Sequence, residues 1–481
     1  MRSERGWIGA FVGIATFVAA QSSVAVPKGQ QSTSNQPADC SEWHECREFA
    51  LDALSRGAYE RFHDFAWRAV QTGPRRDGNL MYLLARAQSL SGRPHDALVM
   101  LGRLAATGVA ADSLTNDEFR AVRALPGWPE VEALIRSVSP DAGVAASVDA
   151  AVPAPVVAAR AAEPSTAEPT TAEPSSIPSK SSNDGPAAST TPLRKAEDAL
   201  RWPATPWSPT GLAYDRVSAR FVLANRGGRK LLSIDERSRH LVDLVGPESA
   251  GFYEITALEI DGRRGDLWVV SANTSRAEGQ PATVLHRLQL VSGRPLEALP
   301  LPDTFGPARF DDVAVSPGGT VFVLDGLGKR LFRVGLDRQT FTVAADLPVD
   351  HPASLAPVDD RIIYVAHQKG IARVDTSTRS AKPLVGPKNI QLQDFERIRW
   401  AQNRLVGVQR LPDGTRRVVT APLTETASRP RVRALDVVET NVVMTDPMAA
   451  ALSDDAFYFA VRETDDADGD AEIVVRRARV R

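Results

Sequence analysis

The sequence predicts three parts: an all-α N-terminal solenoid, a disordered linker and a C-terminal all-β propeller of six blades. Three observations lead to this prediction. Apolar residues recur at helical spacing over residues 41–137, a segment rich in Ala, Pro, Ser and Thr follows, and a short strand phrase then recurs six times. At 481 residues the chain is long enough for more than one domain, because single hydrophobic cores rarely grow beyond about 250–300 residues.

Residues 1–25 have the pattern of a secretory signal peptide. Arg2 and Arg5 supply the positive start, an apolar stretch runs from Trp7 to Ala20, and small residues continue to Ala25. The apolar run is too short to span a bilayer comfortably, although retention as an uncleaved anchor stays open. We therefore expect a periplasmic or secreted protein without stable membrane insertion.

The two cysteines, Cys40 and Cys46, lie just after this segment. An even pair in an exported protein is most simply one disulfide, which would fix the start of the first helix. The Cys-x5-Cys spacing fits neither haem attachment nor a zinc knuckle. Two free thiols are the alternative.

Residues 41–137 are predicted to form helical hairpins, because apolar residues recur every three or four positions and Gly57 and Gly92 mark turns 35 residues apart. The second hairpin resembles a tetratricopeptide repeat in Leu84-Ala85, Gly92, Ala97 and Leu101. It departs from that family at Met81 and Gln88, where the family has aromatic residues. The resemblance implies a solenoid that binds a protein or peptide, and an unrelated pair of helical hairpins stays open.

Residues 138–200 are predicted to be a disordered linker. The phrase Ala-Glu-Pro recurs there with a period of five residues, and large aromatic residues are absent. Such a segment buries too little apolar surface to offset its conformational entropy, and its prolines favour an extended chain. We expect the linker to space the two domains widely and without a fixed pose.

Residues 201–481 carry the six strand phrases. Each begins with a small or polar opening residue and an alternating apolar run, and its second strand ends in a polar residue 15 or 13 positions later. Short strands at this spacing, with Gly and Asp at the turns, are typical of a propeller. The opening residues are Thr210, Thr256, Asp312, Ser354, Glu396 and Ala449, and the strand-end residues are Asn225, Ser271, Asp325, His367, Gln409 and Arg462.

Over residues 205–470 these phrases resemble the six-bladed propellers of the gluconolactonase, regucalcin and strictosidine-synthase-like superfamily. The resemblance implies that the opening residues surround one mouth of the central channel and that the strand-end residues form a second ring. The ligand-binding residues that it implies are Thr210, Thr256, Asp312, Asp325, Ser354, His367 and Glu396.

The lactonases of that superfamily hold a divalent metal at this mouth through a glutamate of the first blade and Asn and Asp residues of later blades. This chain keeps only part of that set, because Asp312 stands at the position of a family Asn and Ser354 and Glu396 are not the expected ligands. The candidate metal ligands here are the carboxylates of Asp312 and Glu396. Calcium accepts a mixed shell of carboxylate, carbonyl and water oxygens. The chain departs from the family pattern in blade 1, where Pro209-Thr210-Gly211 stands in place of the metal-binding glutamate. Capping of loop amides or simple contact with water is the alternative for both carboxylates.

His367 is the catalytic candidate, because a histidine beside a carboxylate such as Asp325 can act as a general base. A hydrogen-bonded histidine without a catalytic role is the alternative. We expect five arginines to lie exposed on the propeller rim: Arg309, Arg330, Arg361, Arg397 and Arg410.

Two functions remain in view at this point. The net charge of −2 argues against nucleic acid as a partner, and the chain has no Gly-x-Ser-x-Gly and no phosphate-binding Gly-Lys-Ser/Thr motif. The first function is an exported binding or scaffold protein, whose helical repeats bind a protein or peptide and whose propeller binds a further ligand. The second is a metal-dependent hydrolase of lactones at the channel mouth.

Overall fold

In the computed structural model, a helical domain precedes a six-bladed propeller. The structure describes residues 40–107, 112–138, 195–204, 209–225, 228–236, 239, 241–273, 282–335, 339–424, 429–440, 442–443, 449–453, 456–464 and 471–480. The predicted signal peptide, and residues 139–194 of the predicted linker, lie outside these residues. Among the helices that are described, none has the length and hydropathy of a membrane span.

The helical domain consists of two long helical hairpins followed by shorter helices. Gly57 and Gly92 end the first helix of each hairpin with φ values of 67° and 77°, a conformation that glycine adopts without strain. Asp77 caps α3 by accepting a 2.9 Å hydrogen bond from the N–H of Leu80. The α-helices are α1 (Trp43–Ser55), α2 (Tyr59–Thr72), α3 (Gly78–Leu90), α4 (Pro94–Ala106), α5 (Arg120–Arg123) and α6 (Trp128–Val138), with single 3₁₀ turns at Asp112–Leu114 and Asp117–Phe119.

A disulfide joins Cys40 to Cys46, the pairing that the sequence favours. Both cysteines are buried, and the bond ties the first described residue to the first turn of α1. The N-terminal end of that helix is therefore held covalently where it would otherwise fray.

The propeller consists of six four-stranded antiparallel sheets, which confirms the predicted blade count. Blade 1 consists of β2 (Pro209–Asp215), β3 (Arg220–Asn225), β4 (Lys230–Asp235) and β5 (Leu241–Val245). Blade 2 consists of β6 (Glu254–Asp261), β7 (Asp266–Ala272), β8 (Thr283–Gln289) and β9 (Pro295–Pro300). Blade 3 consists of β10 (Phe310–Val315), β11 (Val321–Asp325), β12 (Arg330–Val334) and β13 (Phe341–Asp346).

Blades 4 to 6 continue the same plan around the ring, in which each inner strand contacts the inner strands of the two adjacent blades. Blade 4 consists of β14 (Pro352–Pro357), β15 (Ile362–His367), β16 (Gly370–Asp375) and β17 (Ser380–Pro383). Blade 5 consists of β18 (Phe395–Ala401), β19 (Arg404–Arg410), β20 (Arg416–Pro422) and β21 (Asp436–Glu439). Blade 6 consists of β22 (Ala450–Ser453), β23 (Ala456–Thr464), β24 (Ala471–Arg479) and β1 (Glu197–Pro203).

Strand β1 corrects the predicted end of the linker, since residues 197–200 belong to the propeller. The strand pairs antiparallel with β24 and supplies the outer strand of blade 6. Leu200 is buried in this blade, and Arg201 contacts Glu472, 271 residues further along the chain. Its partner strand lies so far away in sequence that no turn signal marks it as a strand.

The helical domain packs directly against blades 1 and 2, so the prediction of two widely spaced domains is wrong. Trp67 of α2 is fully buried, and its indole N–H donates a 3.1 Å hydrogen bond to the carbonyl of Gly262. Its ring covers Gly265, where a Cβ would lie 3.1 Å from the ring atoms. Asp96 of α4 accepts a 3.0 Å hydrogen bond from the N–H of Ser292. A long tether permits docking when the two surfaces are complementary, as these are.

One hydrophobic cluster runs through both domains, with Phe62 and Leu104 from the helices and Leu258 and Val291 from blade 2. The helices contact two connections of blade 2: the one between its first and second strands, β6 and β7, and the one between its third and fourth strands, β8 and β9. Because neighbouring strands of the blade are antiparallel, these two connections lie at the same end of the propeller. We call that end of the propeller the helix face, and the opposite end, where the inner strands begin, the mouth face.

Candidate functional site

The inner strands of blades 1 to 5 each begin with an irregularity in which one residue is skipped in the pairing register. An extra residue of this kind bulges out, so that the residues beside it take up the regular pairing. The skipped residues are Thr210, Thr256, Asp311, Ala353 and Glu396. Asp312 and Ser354 come one position after the bulge, and their equivalent in blade 5 is therefore Arg397.

This register corrects the alignment of the sequence repeats. The spacing of 13 residues placed Glu396 beside Asp312, but a shift of one residue turns a side chain to the other face of a strand. Glu396 instead binds Arg410 and, at 2.7 Å, Arg416. Asp312 and Glu396 therefore do not share a site, because Asp312 pairs with Arg397 and Arg399 and Glu396 pairs with Arg410 and Arg416.

Asp312 is completely buried and its carboxylate is saturated with donors. The Nη1 atom of Arg397 lies 2.5 Å from Oδ1, and that of Arg399 lies 3.1 Å from Oδ2. The Ser354 hydroxyl donates to Oδ2 at 2.7 Å, and the N–H groups of Leu355 and Val313 donate at 2.9 and 3.0 Å.

Arg399 continues this network across the channel. Its Nε atom lies 3.2 Å from the carboxylate of Glu259 on β6. In a closed ring of six blades, blade 2 with Glu259 is opposite blade 5 with Arg399. Side chains from four blades thus meet in the channel, and we call them the channel strap: Glu259, Asp312, Ser354, Arg397 and Arg399.

Burial and charge act in opposite directions on the two acids of the strap. Burial alone would raise the pKa of Asp312, but Arg397 and Arg399 lower it below its usual range. Burial raises the pKa of Glu259 to about 7, because the nearby Asp312 carboxylate adds to the effect and Arg399 offsets only part of it. The strap therefore contains one acid that stays ionised and one that titrates near neutrality.

The other opening residues contribute hydrogen bonds or packing. The Thr256 hydroxyl donates 2.7 Å to the carbonyl of Phe310, which links blade 2 to blade 3. Thr210 is fully buried in blade 1, and Ala449 is fully buried before blade 6.

The strand-end residues hold turns on the mouth face. The Asp325 carboxylate accepts from the N–H groups of Arg309 and Gly328 at 3.0 and 2.8 Å, and binds Arg330 at 2.6 Å. Nδ1 of His367 accepts a 3.3 Å hydrogen bond from the N–H of Lys369, and burial is the main cause that lowers its pKa. Within the described part of the chain, no carboxylate is hydrogen-bonded to His367.

Ser271 has a partner that the sequence did not indicate. Its hydroxyl lies 2.9 Å from Nε2 of His286, and both side chains are buried. Burial lowers the pKa of His286 to about 4, so the imidazole is neutral at physiological pH. The ring packs edge to face against Phe252, with 4.8 Å between centroids.

The predicted arginine rim is correct for three of the five residues. The side chains of Arg309, Arg361 and Arg410 are 57%, 61% and 53% exposed. Arg397 is buried in an ion pair with Asp312, and Arg330 is partly buried in an ion pair with Asp325.

The residues present do not fit the metal site that the resemblance implies. Every oxygen of Asp312 already accepts from an arginine, and Glu396 is bound to two other arginines. Among the described residues, no three His, Cys, Asp or Glu side chains converge as metal ligands.

A cleft of about 670 Å³ opens on the mouth face between blades 1 and 2. It is formed by the connections that follow β3 and β5, so no repeat pattern marks it in the sequence. Its lining residues are Gly228, Arg229, Lys230, Pro247, Glu248, Gly251, Phe252 and Tyr253.

No family model matches this chain, and no curated protein matches it either. Among solved structures, an aldose sugar dehydrogenase of Streptomyces coelicolor in its PQQ-bound form is 13% identical, with 60% of this chain and 97% of that chain covered and a TM-score of 0.37. Virginiamycin B lyase of Staphylococcus aureus is 11% identical, with coverages of 57% and 98% and a TM-score of 0.40. A putative gluconolactonase is 12% identical, with coverages of 59% and 94% and a TM-score of 0.37. Values this low carry no functional argument.

Proposed function

We propose that this protein is an exported binding protein in which the helices and the propeller act as one body. The observation that carries the proposal is the channel strap. It fills the place where a propeller hydrolase would need open ligands for a metal and its bound water. Binding is therefore assigned to the outer surfaces of the molecule.

Export is supported by the N-terminal sequence pattern and by the buried Cys40–Cys46 disulfide. Disulfides persist mainly in oxidising compartments such as the periplasm and the cell exterior. The helical domain would bind a protein or peptide partner. Because α2 and α4 contact the propeller and most of α3 is buried, we assign this binding to α1.

The first experiment asks whether the channel supports hydrolysis. The full mature chain is assayed with aldono- and acyl-lactones in the presence of calcium, zinc or manganese, and calcium binding is measured by calorimetry. We expect neither turnover nor binding in the channel. Metal-dependent turnover that Asp312→Ala abolishes and Glu396→Ala retains, in variants that remain folded, would instead establish the hydrolase.

The second experiment asks whether the helices bind a partner. A photo-crosslinking amino acid is placed at Arg47, exposed on α1, and in a matched control at Val242, which is 43% exposed on β5. Crosslinking in cells should give one discrete adduct from position 47 and none from position 242. Identical adducts at both positions, or none at either, would contradict partner binding by α1.

A further inference from the structure

The cleft between blades 1 and 2 has the size and composition of a small-molecule site. Its volume of about 670 Å³ falls within the range of about 300–1,000 Å³ that is usual for such sites. It lies on the mouth face, so the helical domain on the opposite face does not cover it. It is also separate from the channel strap, none of whose residues line it.

The floor of the cleft is aromatic and firmly supported. Phe252 is buried and packs edge to face on His286, which is held in turn by Ser271. Phe252 also belongs to the hydrophobic cluster shared by the helices and blade 2. Tyr253 beside it is only partly buried and also lines the cleft. Two adjacent rings favour a planar apolar group.

The rim of the cleft carries one cation and one anion for which no ion pair is found among the described residues. Lys230 is bound to Asp243 at 2.8 Å, so its charge is largely compensated. Arg229 and Glu248 are exposed, and among the described residues neither forms an ion pair. An arginine offers two parallel N–H donors to a carboxylate, and a glutamate accepts from an ammonium group.

From this combination we propose that the cleft binds a zwitterionic aromatic α-amino acid. Arg229 holds the carboxylate, Glu248 holds the ammonium group, and Phe252 and Tyr253 contact the ring. This assignment rests on the proposed binding function and gives it a ligand class. It pairs both of these exposed charges, whereas a simple anion would leave Glu248 opposed to it.

Phenylalanine, tyrosine and tryptophan are the probes, titrated by calorimetry into the full mature chain. We expect saturable binding of at least one of them with a stoichiometry of one. N-acetylphenylalanine lacks the ammonium group, phenylalaninamide lacks the carboxylate and alanine lacks the ring, and each should bind about tenfold more weakly or worse. An analogue that binds as tightly as its parent amino acid overturns the proposed mode.

Three variants locate the site, and one serves as the control. Arg229→Gln and Glu248→Gln should each weaken binding about tenfold or more, since a hydrogen bond to a charged group contributes on that scale. Tyr253→Ala should weaken binding about tenfold because it removes an aromatic contact to the ligand's ring. Arg294→Gln changes an exposed arginine of blade 2 in the β8–β9 connection on the helix face and should leave binding unchanged. All four changes are at the surface, and unchanged melting temperatures verify that the variants are folded.

Failure of this inference and failure of the proposed function give different results. Absence of binding at ~10 mM probe, or binding that survives Arg229→Gln and Glu248→Gln, overturns the amino-acid site. Neither result contradicts the proposal that the molecule is a binding protein. Metal-dependent lactone turnover overturns the proposed function, whatever the cleft binds.

Discussion

The helix–propeller interface and the channel strap both bury polar side chains, but they satisfy them in different ways. At the interface, Trp67 and Asp96 bond to backbone groups of Gly262 and Ser292, and Trp67 belongs to the apolar cluster that both domains share. In the strap, charged side chains bond mainly to one another. The first arrangement depends mainly on buried apolar area. The second depends on the pairing of Asp312 with Arg397 and Arg399.

The energetic consequences differ accordingly. Removing a partner from a buried ion pair leaves the other charge unpaired in a medium of low polarity. Removing an apolar side chain instead leaves a cavity whose cost grows with its volume. The two regions should therefore respond differently to substitution and to acid.

The largest effect is expected at the centre of the strap. Asp312→Ala leaves Arg397 and Arg399 without their shared anion, and should lower the free energy of unfolding toward the upper end of about 3–5 kcal/mol. Urea unfolding measures the loss. The double variant Asp312→Leu/Arg397→Leu leaves Arg399 paired with Glu259 and should recover part of the stability. A double variant no more stable than Asp312→Ala would contradict the charge explanation.

At the interface, Trp67→Ala removes the side chain that joins the two domains. We expect a loss of about 3–4 kcal/mol, together with faster proteolysis of the helical domain than of the propeller. Trp67→Phe keeps a smaller ring and loses the hydrogen bond to Gly262 together with part of the buried indole, so it should cost less than Trp67→Ala, about 1–2 kcal/mol. Unchanged stability and unchanged proteolysis in Trp67→Ala would mean that the helices do not dock on blade 2.

The pH dependence of the strap should come mainly from Glu259. Its pKa is about 7 in the folded protein and 4.5 as the ordinary value, so the folded state binds the proton more tightly. Stability should therefore fall as the pH rises from about 4.5 to about 7, by on the order of 1–3 kcal/mol. Glu259→Gln should flatten this part of the profile while interface variants such as Trp67→Phe retain it. An identical slope in Glu259→Gln would assign the effect to another group.

The smallest effect is expected at Glu396, which the repeat pattern had placed in the channel. Its carboxylate binds Arg410 and Arg416 near the surface, and pairs of this kind contribute about 0–1 kcal/mol. Glu396→Gln should change the melting temperature by no more than a few degrees. A loss as large as that of Asp312→Ala would place Glu396 in the strap and refute the bulged register.

The contrast between Asp312 and Glu396 also marks the limit of prediction from sequence. The blades were predictable because alternating apolar residues and glycine turns recur at a regular spacing. The orientation of single side chains was not, because a bulge shifts the register without changing the composition. Arg397 and Arg399 alternate with Ile398 and so share one face of β18, but only the bulge at Glu396 turns that face toward the channel.

Docking of the helices was missed for a different reason. Trp67 and Phe62 fit an amphipathic helix whether its apolar face covers another helix or a blade. The composition of the linker predicts only the properties of the linker itself. It does not indicate whether the surfaces of the helical domain and of the propeller are complementary. The cleft at Arg229 and Tyr253 was missed because two loops form it that are remote from any repeat.

Strand β1 has a consequence for the order in which the molecule assembles. Its residues emerge during synthesis long before β24, so that blade 6 must wait for the last segment of the propeller. The helices and the first two blades are made early and can dock while the ring is still open. Pairings between such distant segments form slowly, and the interval leaves the edges of the sheets unprotected. We expect closure of blade 6 to be the slow, final step of folding.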